Sequence, residues 1–418
     1  MAKFEIDMHD KKIIGQLLRF YRINMNRAQK DMIINEYGDQ ICSRKTLSLI
    51  ERGKPIALDR IYEELLLKFS LRYNYDKHIY EWKNKFSELL HYCEFYNIPD
   101  ILQAVNSLME IFERYKDYVI FHEIYYFCTI IQAYYQNHIL LDENSVRNLS
   151  EMIKILNTPL NDIMIDLLFK SCVRLDLEYK EYYNFSKATN IINKMNYLMT
   201  LVYDTKVHSA IEYSFILKYE LSSTDNHIRL LDLYNIKMTL YRKAEEQEFL
   251  SLVNVIQDIL NTDDDHIPKI KRAQTYKNLA ITAYKLELLD IAETGIIKFL
   301  QYDKRETIPY ITILIDIYQR SDKFLAIIDI MTYQKPEICG NKYNVYLNYF
   351  IYKYKCLYAP EKLNDYIMRD VLVNLHKTDS IYVRIFYREL NSIIKITKRY
   401  KDSKTFIEKI KDLPDFQN

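Results

Sequence analysis

The sequence predicts an all-α fold, and three features carry that expectation. Glycine is scarce, with 5 in 418 residues and only 8 prolines beside them, too few for the many turns of a strand-rich fold. Apolar residues recur at the spacing of one helical face along most of the chain. Serine, glycine and proline stand where such runs begin and end. Three glycines, Gly15, Gly38 and Gly53, fall in the first 53 residues, and only Gly295 and Gly340 follow. That shift predicts two architectures in succession. With 49 % hydrophobic residues, the chain can bury a sizeable core and is not composed like a disordered one.

The first 72 residues read as four short helices. The first carries Ile13, Ile14, Leu17, Leu18 and Tyr21 on one face. The second starts near Gln29 with Met32, Ile33 and Tyr37, and a turn at Gly38 and Asp39 follows. Ser43 then stands as an N-cap, its hydroxyl placed to accept from a first-turn amide. The run RKTLSLIER comes next, and Gly53 with Pro55 stops it. Leu58, Ile61, Leu65, Leu66 and Phe69 give the core face of the fourth helix.

On a wheel of about 100° per residue, Arg44, Ser48, Arg52, Lys45 and Leu49 share an arc of about 140°, while Leu47 and Ile50 point to the opposite side. Such an arc suits a DNA groove. Arginine and lysine reach guanine or phosphate, serine bonds either, and leucine touches a thymine methyl. A solvated face with scattered charge is the plainer account of a lone nine-residue helix, but the cap, the core pair and the terminal glycine together favour a recognition helix. Residues 1–72 hold 14 Lys+Arg against 10 Asp+Glu, and the remainder 44 against 47. Positive charge therefore gathers where a phosphate backbone would use it.

The run from Ile41 to Lys54 (ICSRKTLSLIERGK) resembles the third-helix signature of the phage-repressor, Xre-type helix-turn-helix family. Ile41-Cys42 is similar to a narrower group, the peptide-pheromone-responsive regulators of Rgg, PlcR and PrgX type. The resemblance implies a DNA-contact set of Gln29, Ser43, Arg44, Lys45, Ser48, Leu49, Arg52 and Lys54. Within it Gln29 meets a phosphate, Arg44, Lys45, Ser48 and Leu49 face bases, and Arg52 faces the backbone. Glu51 matches a glutamate of structural role. One departure is plain: Gln29 to Ser43 spans fourteen positions, against roughly ten in the family pattern, and the extra residues are expected to lengthen the second helix or its turn, around Asn35 to Gln40.

The expected boundaries are a helix-turn-helix domain over 1–72, a connecting helix over 73–98 that contains Trp82, and a helical-repeat domain over 99–418. Tyr276, Leu279, Ala280, Ala283, Ala292, Ile296 and Phe299 are each followed 34 residues later by an apolar or aromatic residue. That period resembles the tetratricopeptide repeat of two antiparallel helices and predicts an α-solenoid. Leu231–Arg242 with Glu248–Leu260, and Lys342–Leu357 with Glu361–His376, fit the same scheme less well. The concave groove of such a solenoid suits an extended peptide, whose backbone asparagine amides can grip as both donor and acceptor. Asn235, Lys237, Tyr241, Asn278, Tyr284, Tyr318 and Asn348 are the candidates. Each taken singly reads equally well as an ordinary surface polar residue.

Chemistry is sparse. There is no phosphate-binding glycine loop, no His-Glu-x-x-His and no nucleophile elbow, so binding, not catalysis, is expected, with no cofactor. Asp263-Asp264-Asp265-His266 reads as an acidic loop before Pro268 and not as a metal site. The six cysteines form no C-x-x-C pair and read as reduced core thiols. The opening residues lack a signal-peptide apolar region, and the most apolar run, Tyr118–Tyr135, carries His122 and Glu123, as a buried helix would.

The combined expectation is a cytoplasmic, quorum-sensing transcription regulator. It would bind a double-stranded operator as a homodimer, under control of a short signalling peptide, with no membrane partner. The alternative is a helical-repeat scaffold for protein partners with a docking or degenerate N-terminal domain.

Overall fold

The helical expectation holds for the residues described by the computed structural model: 5–73, 79–156, 158–224, 226–241, 245–262, 267–304, 307–335, 342–375 and 380–411. Among them no strand forms, and two isolated bridges, Ile34 with Gln40 and Arg72 with Tyr118, are the only extended pairings. The chain separates into two compact units, Met1–Arg229 and Leu230–Asn418. No helix among the described residues is long and apolar enough to cross a membrane.

The first unit opens with α1 (Met8–Asn24), α2 (Gln29–Met32), α3 (Arg44–Glu51) and α4 (Asp59–Leu67). Ile13, Ile14, Leu17, Leu18, Met32, Leu47, Ile50, Leu65 and Leu66 are buried together, close to the faces expected from periodicity. Two positions differ. Tyr37 is 89 % exposed, and Leu58 is 65 % exposed because it caps α4 and does not line it. Tyr62 takes the core place instead, and its hydroxyl oxygen accepts from the Ile56 amide at 3.1 Å.

There follow α5 (Ile79–Glu94), α6 (Ile98–Glu113), α7 (Val119–Asn137), α8 (Glu143–Ile155), α9 (Asn161–Leu175), α10 (Ile191–Tyr203) and α11 (Val207–Ser222). Trp82 on α5 is buried edge-on against Phe112 and Phe121. The segment 5–73 is tied into this array. The backbone of Arg72 bonds to two residues before and within α7, its amide donating to Asp117 at 2.8 Å and its carbonyl accepting from the Val119 amide at 2.9 Å. Tyr73 donates to Asp10 at 2.6 Å, and Tyr21 on α1 donates to the buried Glu123 on α7. Most of the expected boundary, Asn74 to Asp76, lies outside the described residues.

The second unit begins within α12 (His227–Met238) and continues through α13 (Glu246–Thr262), α14 (Lys269–Lys285), α15 (Leu289–Tyr302), α16 (Thr307–Arg320), α17 (Phe324–Tyr333), α18 (Lys342–Tyr354), α19 (Pro360–Tyr366), α20 (Leu372–Asn374), α21 (Ser380–Thr397) and α22 (Tyr400–Ile410). Pro360 opens α19 and Pro309 sits in the first turn of α16, where a missing amide costs no helical hydrogen bond.

The hairpins α14–α15 and α16–α17 keep a spacing of 34 only in their first helices. The turns repeat at 35: Glu287 and Asp322 both have positive φ, and the amides of Leu288 and Lys323 bond back to Ala283 and Tyr318. The second helices are therefore one residue out of the expected phase. Ile327 and Met331 are buried on α17, whereas Tyr333 is 84 % exposed. Gly295 is required by a close approach, since a Cβ there would lie 2.9 Å from that of Ala280.

The cysteine expectation holds at Cys42, Cys93, Cys128 and Cys172, which are free and buried. Burial pushes the Cys93 and Cys128 thiols up to about 12. Cys356 departs from it, being free but exposed. Cys339 and Asp263 to His266 lie outside the described residues.

Candidate nucleic-acid interface

Short helices need caps because few of their backbone groups pair internally. In α3 the Ser43 Oγ accepts from the Thr46 amide at 3.1 Å and shares a second bond with Thr46 Oγ1 at 2.9 Å. At the other end Gly53 has φ +68°, which lets its own amide reach the Ile50 carbonyl at 2.8 Å and the Lys54 amide reach Leu49 at 3.0 Å. Leu47 and Ile50 anchor the helix from behind, fully buried. Gly15 on α1 makes that anchoring possible, because a Cβ there would meet the Ile50 carbonyl oxygen at 2.1 Å.

Glu51 joins three helices. Its carboxylate, 4 % exposed, takes both arms of Arg22 from α1 at 2.5 and 3.0 Å and the Gln29 amide from α2 at 2.8 Å. A bidentate, buried guanidinium–carboxylate pair fixes direction as well as distance. Gln29 is thus half-buried and engaged within the protein through its Nε2.

The face opposite this core carries the remaining candidates. Ser43, Arg44, Lys45, Arg52 and Lys54 are exposed, and Ser48 and Leu49 are half-buried. Among the described residues none of the four cations makes an ion pair. Four uncompensated charges within eleven residues make a local positive potential that an anionic polymer would relieve. The carboxylates that end this part of the chain, Glu51 and Asp59, are occupied by Arg22 and by Lys11, the latter at 2.6 Å.

The extra residues before α3 lengthen the turn and not the helix, since α2 ends at Met32. They fold into a small hairpin. The Asn35 amide donates to Asp39 at 2.8 Å and the Ile41 amide to Ile33 at 2.8 Å, while the Asn35 side chain collects the amides of Tyr37 and Asp39. Gly38 turns the tip with φ +89°. The tip presents Glu36, Tyr37 and Asp39 to solvent. Sequence reasoning placed Tyr37 on a helix. The Asn-x-x-Gly-Asp pattern was the available signal for a turn.

The candidate peptide residues are arranged differently. Asn235, Tyr284, Tyr318 and Asn348 are buried, and Lys237, Tyr241 and Asn278 are half-buried. Asn235 donates to Thr275 Oγ1 at 3.1 Å, with its own carbonyl oxygen buried and unpartnered. Tyr284 donates to Asp316 at 2.6 Å, and Arg388 reaches the same carboxylate at 2.8 Å. Burial and the Asp316 charge push the Tyr284 hydroxyl well up. Asn348 is 7 % exposed, and the nearby Tyr366 hydroxyl donates to the Val345 carbonyl at 3.2 Å. No group of three or more metal-ligating side chains occurs among the described residues.

Compared with family models, curated proteins and solved structures, the chain matches none.

Proposed function

We propose that this chain is a sequence-specific DNA-binding transcription regulator. In this reading residues 1–72 are a helix-turn-helix head of Xre type, and the later helices form a tetratricopeptide-like receiver for a short signalling peptide. The supporting observation is the unpaired cationic face of α3, held from behind by Leu47, Ile50 and the Glu51 node. The protein acts as a homodimer whose two heads address half-sites about 34–36 Å apart or at multiples of that distance. Peptide binding shifts the population between two dimer states through its different affinity for each.

Support for the peptide groove comes from Lys237, Tyr241 and Asn278, which keep some access to solvent. Ser43 and Gln29 are already engaged in capping and in the Glu51 node, so base and phosphate contacts fall chiefly to Arg44, Lys45, Ser48, Leu49, Arg52 and Lys54.

Selection of binding sites from random duplexes with the full chain tests the reading. A single enriched motif is expected, with affinity falling steeply as salt rises, close to one power of salt concentration per phosphate contacted. Arg44→Ala with Lys45→Ala should weaken specific binding about a hundredfold or more, while the melting curve stays within about 0.5 kcal/mol of the parent. Unchanged affinity in that double variant, or the absence of any enriched motif, overturns the proposal. A second reading, a protein-interaction scaffold, draws on the acidic hairpin tip beside α3 and predicts no steep salt dependence toward DNA.

A further inference from the structure

The connection between α9 and α10 is unlike its neighbours. Elsewhere from α5 to α12, three to five residues join successive helices. Here fifteen residues intervene, 176 to 190. They form two 3-10 turns, Tyr179–Glu181 and Phe185–Lys187, with Tyr179 and Phe185 buried. Connections this long inside a compact unit usually have a job beyond joining.

This segment and α10 wall a cavity of about 410 Å³. Its apolar side is aromatic: Tyr183 and Phe185 meet edge-on with centroids 5.0 Å apart, and Tyr197 on α10 is steadied by Tyr213 at 5.0 Å. Its polar side is centred on Asp204, which accepts from Tyr179 at 2.9 Å and Lys180 at 2.6 Å, and pairs with Lys206 at 3.4 Å. The Lys180 hydrogen bond holds the Asp204 carboxyl below its ordinary value. One carboxylate in the lining therefore faces two ammonium groups, with Glu178 acting on Lys180 from outside the lining. Both lysine side chains are more than half exposed, at 56 % and 59 %, so their flexible stems can turn to a second anion.

We propose that this cavity binds a small aromatic carboxylate. The ring lies against Tyr183, Phe185 and Tyr197, and the carboxylate sits between Lys180 and Lys206. The volume falls in the range of small-molecule sites. An aromatic cation would meet two ammonium groups, and a neutral ring would make no use of either. A free aromatic acid and the C-terminal aromatic residue of a peptide share this chemistry. The inference needs neither DNA binding nor the groove residues of the second unit.

Calorimetric titration of the full chain tests it, with 3-phenylpropionate, its amide and the peptide Gly-Gly-Gly-Phe with a free C-terminus as probes. The acid or the peptide should bind saturably, and the amide should bind about tenfold more weakly or worse, the loss of one charge-assisted contact. Lys180→Met with Lys206→Met should remove the preference for the acid while leaving the circular dichroism melt unchanged. Tyr197→Leu should weaken acid and amide alike. Binding of the acid alone marks a free metabolite, and binding of the peptide marks a chain terminus; either supports the site. Equal binding of acid and amide, no binding of acid or peptide, or full retention of binding in the double lysine variant overturns it.

Discussion

The polar residues of α3 and those on α12, α14, α16 and α18 were expected to do the same thing, which is to face outward and meet a ligand. They behave oppositely. Among the described residues no carboxylate holds Arg44, Lys45, Arg52 and Lys54, which stand in solvent. Asn235 and Tyr284 turn inward onto Thr275 and Asp316, and Asn348 is buried. The difference follows from how many neighbours each helix has. The short helix α3 leans on α1 and α2 with one side, so the polar arc left over meets water. Stacked helices have partners on several sides, and a polar group there is driven to find a mate because an unpaired one costs about 1–3 kcal/mol. A helical wheel says which residues share an arc, but not how many sides of the helix are covered.

If packing behind α3 is what presents its cations, disturbing that packing should abolish DNA binding without touching a charge. Gly15→Val is the sharpest form of this test. The added Cβ would press on a backbone oxygen at 2.1 Å, which no change of rotamer relieves, so a cost of at least about 3 kcal/mol is expected. Circular dichroism should report loss or splitting of the melt, and duplex binding should fall with it. A Gly15→Val chain that melts and binds like the parent would separate the cationic face from the core behind it and break the first half of the comparison.

The second half is tested at Asp316. This carboxylate is 4 % exposed and serves both Tyr284 and Arg388. Removing it leaves a partly buried guanidinium and a buried phenol without their shared acceptor. Asp316→Ala should therefore cost about 2–4 kcal/mol, read by urea unfolding. Arg388→Ala should cost less, since its side chain is 39 % exposed and Tyr284 still satisfies the acid. An Asp316→Ala protein as stable as the parent would mean that these groups are not structural, and the inward-facing residues would return as ligand contacts.

What could be read from the amino-acid sequence divides along the same line. Caps are local, so Ser43 and Gly53 were legible, as were the anchors Leu47 and Ile50. The hairpin before α3 was half-legible: the excess length was countable, but whether it extended a helix or a turn depended on Asn35 capturing two amides. The 34-residue spacing gave the first helices of two hairpins correctly. It missed the added residue in the second turn, because Ala326, Ile330 and Tyr333 are apolar in either phase. The exposure of the peptide candidates was not legible, because Asp316 and Arg388 lie 32 and 104 residues from Tyr284. The aromatic cavity was not legible because tyrosine, at 39 residues, is too common to mark a site by its presence.

Glu123 lies between the two cases and gives the smallest effect. It is an inward-facing acid, 3 % exposed, whose hydrogen-bond partner is the neutral Tyr21 hydroxyl of α1 and not a cation. Burial holds its carboxyl above the ordinary 4.5, and the Tyr21 bond and His122 offset this only in part. The folded chain therefore keeps this proton to a higher pH than the unfolded chain does. The group's contribution to stability is complete below about 4.5 and declines as pH rises through the folded value. Glu123→Gln keeps an oxygen for Tyr21 to bond and removes the charge. Its stability should fall less than the parent's between about pH 5 and pH 8 when followed by urea unfolding, and it should be the more stable of the two at the upper end. Parallel curves would mean that Glu123 is as well paired as Asp316, and that inward-facing acids in both units are held by compensated charge.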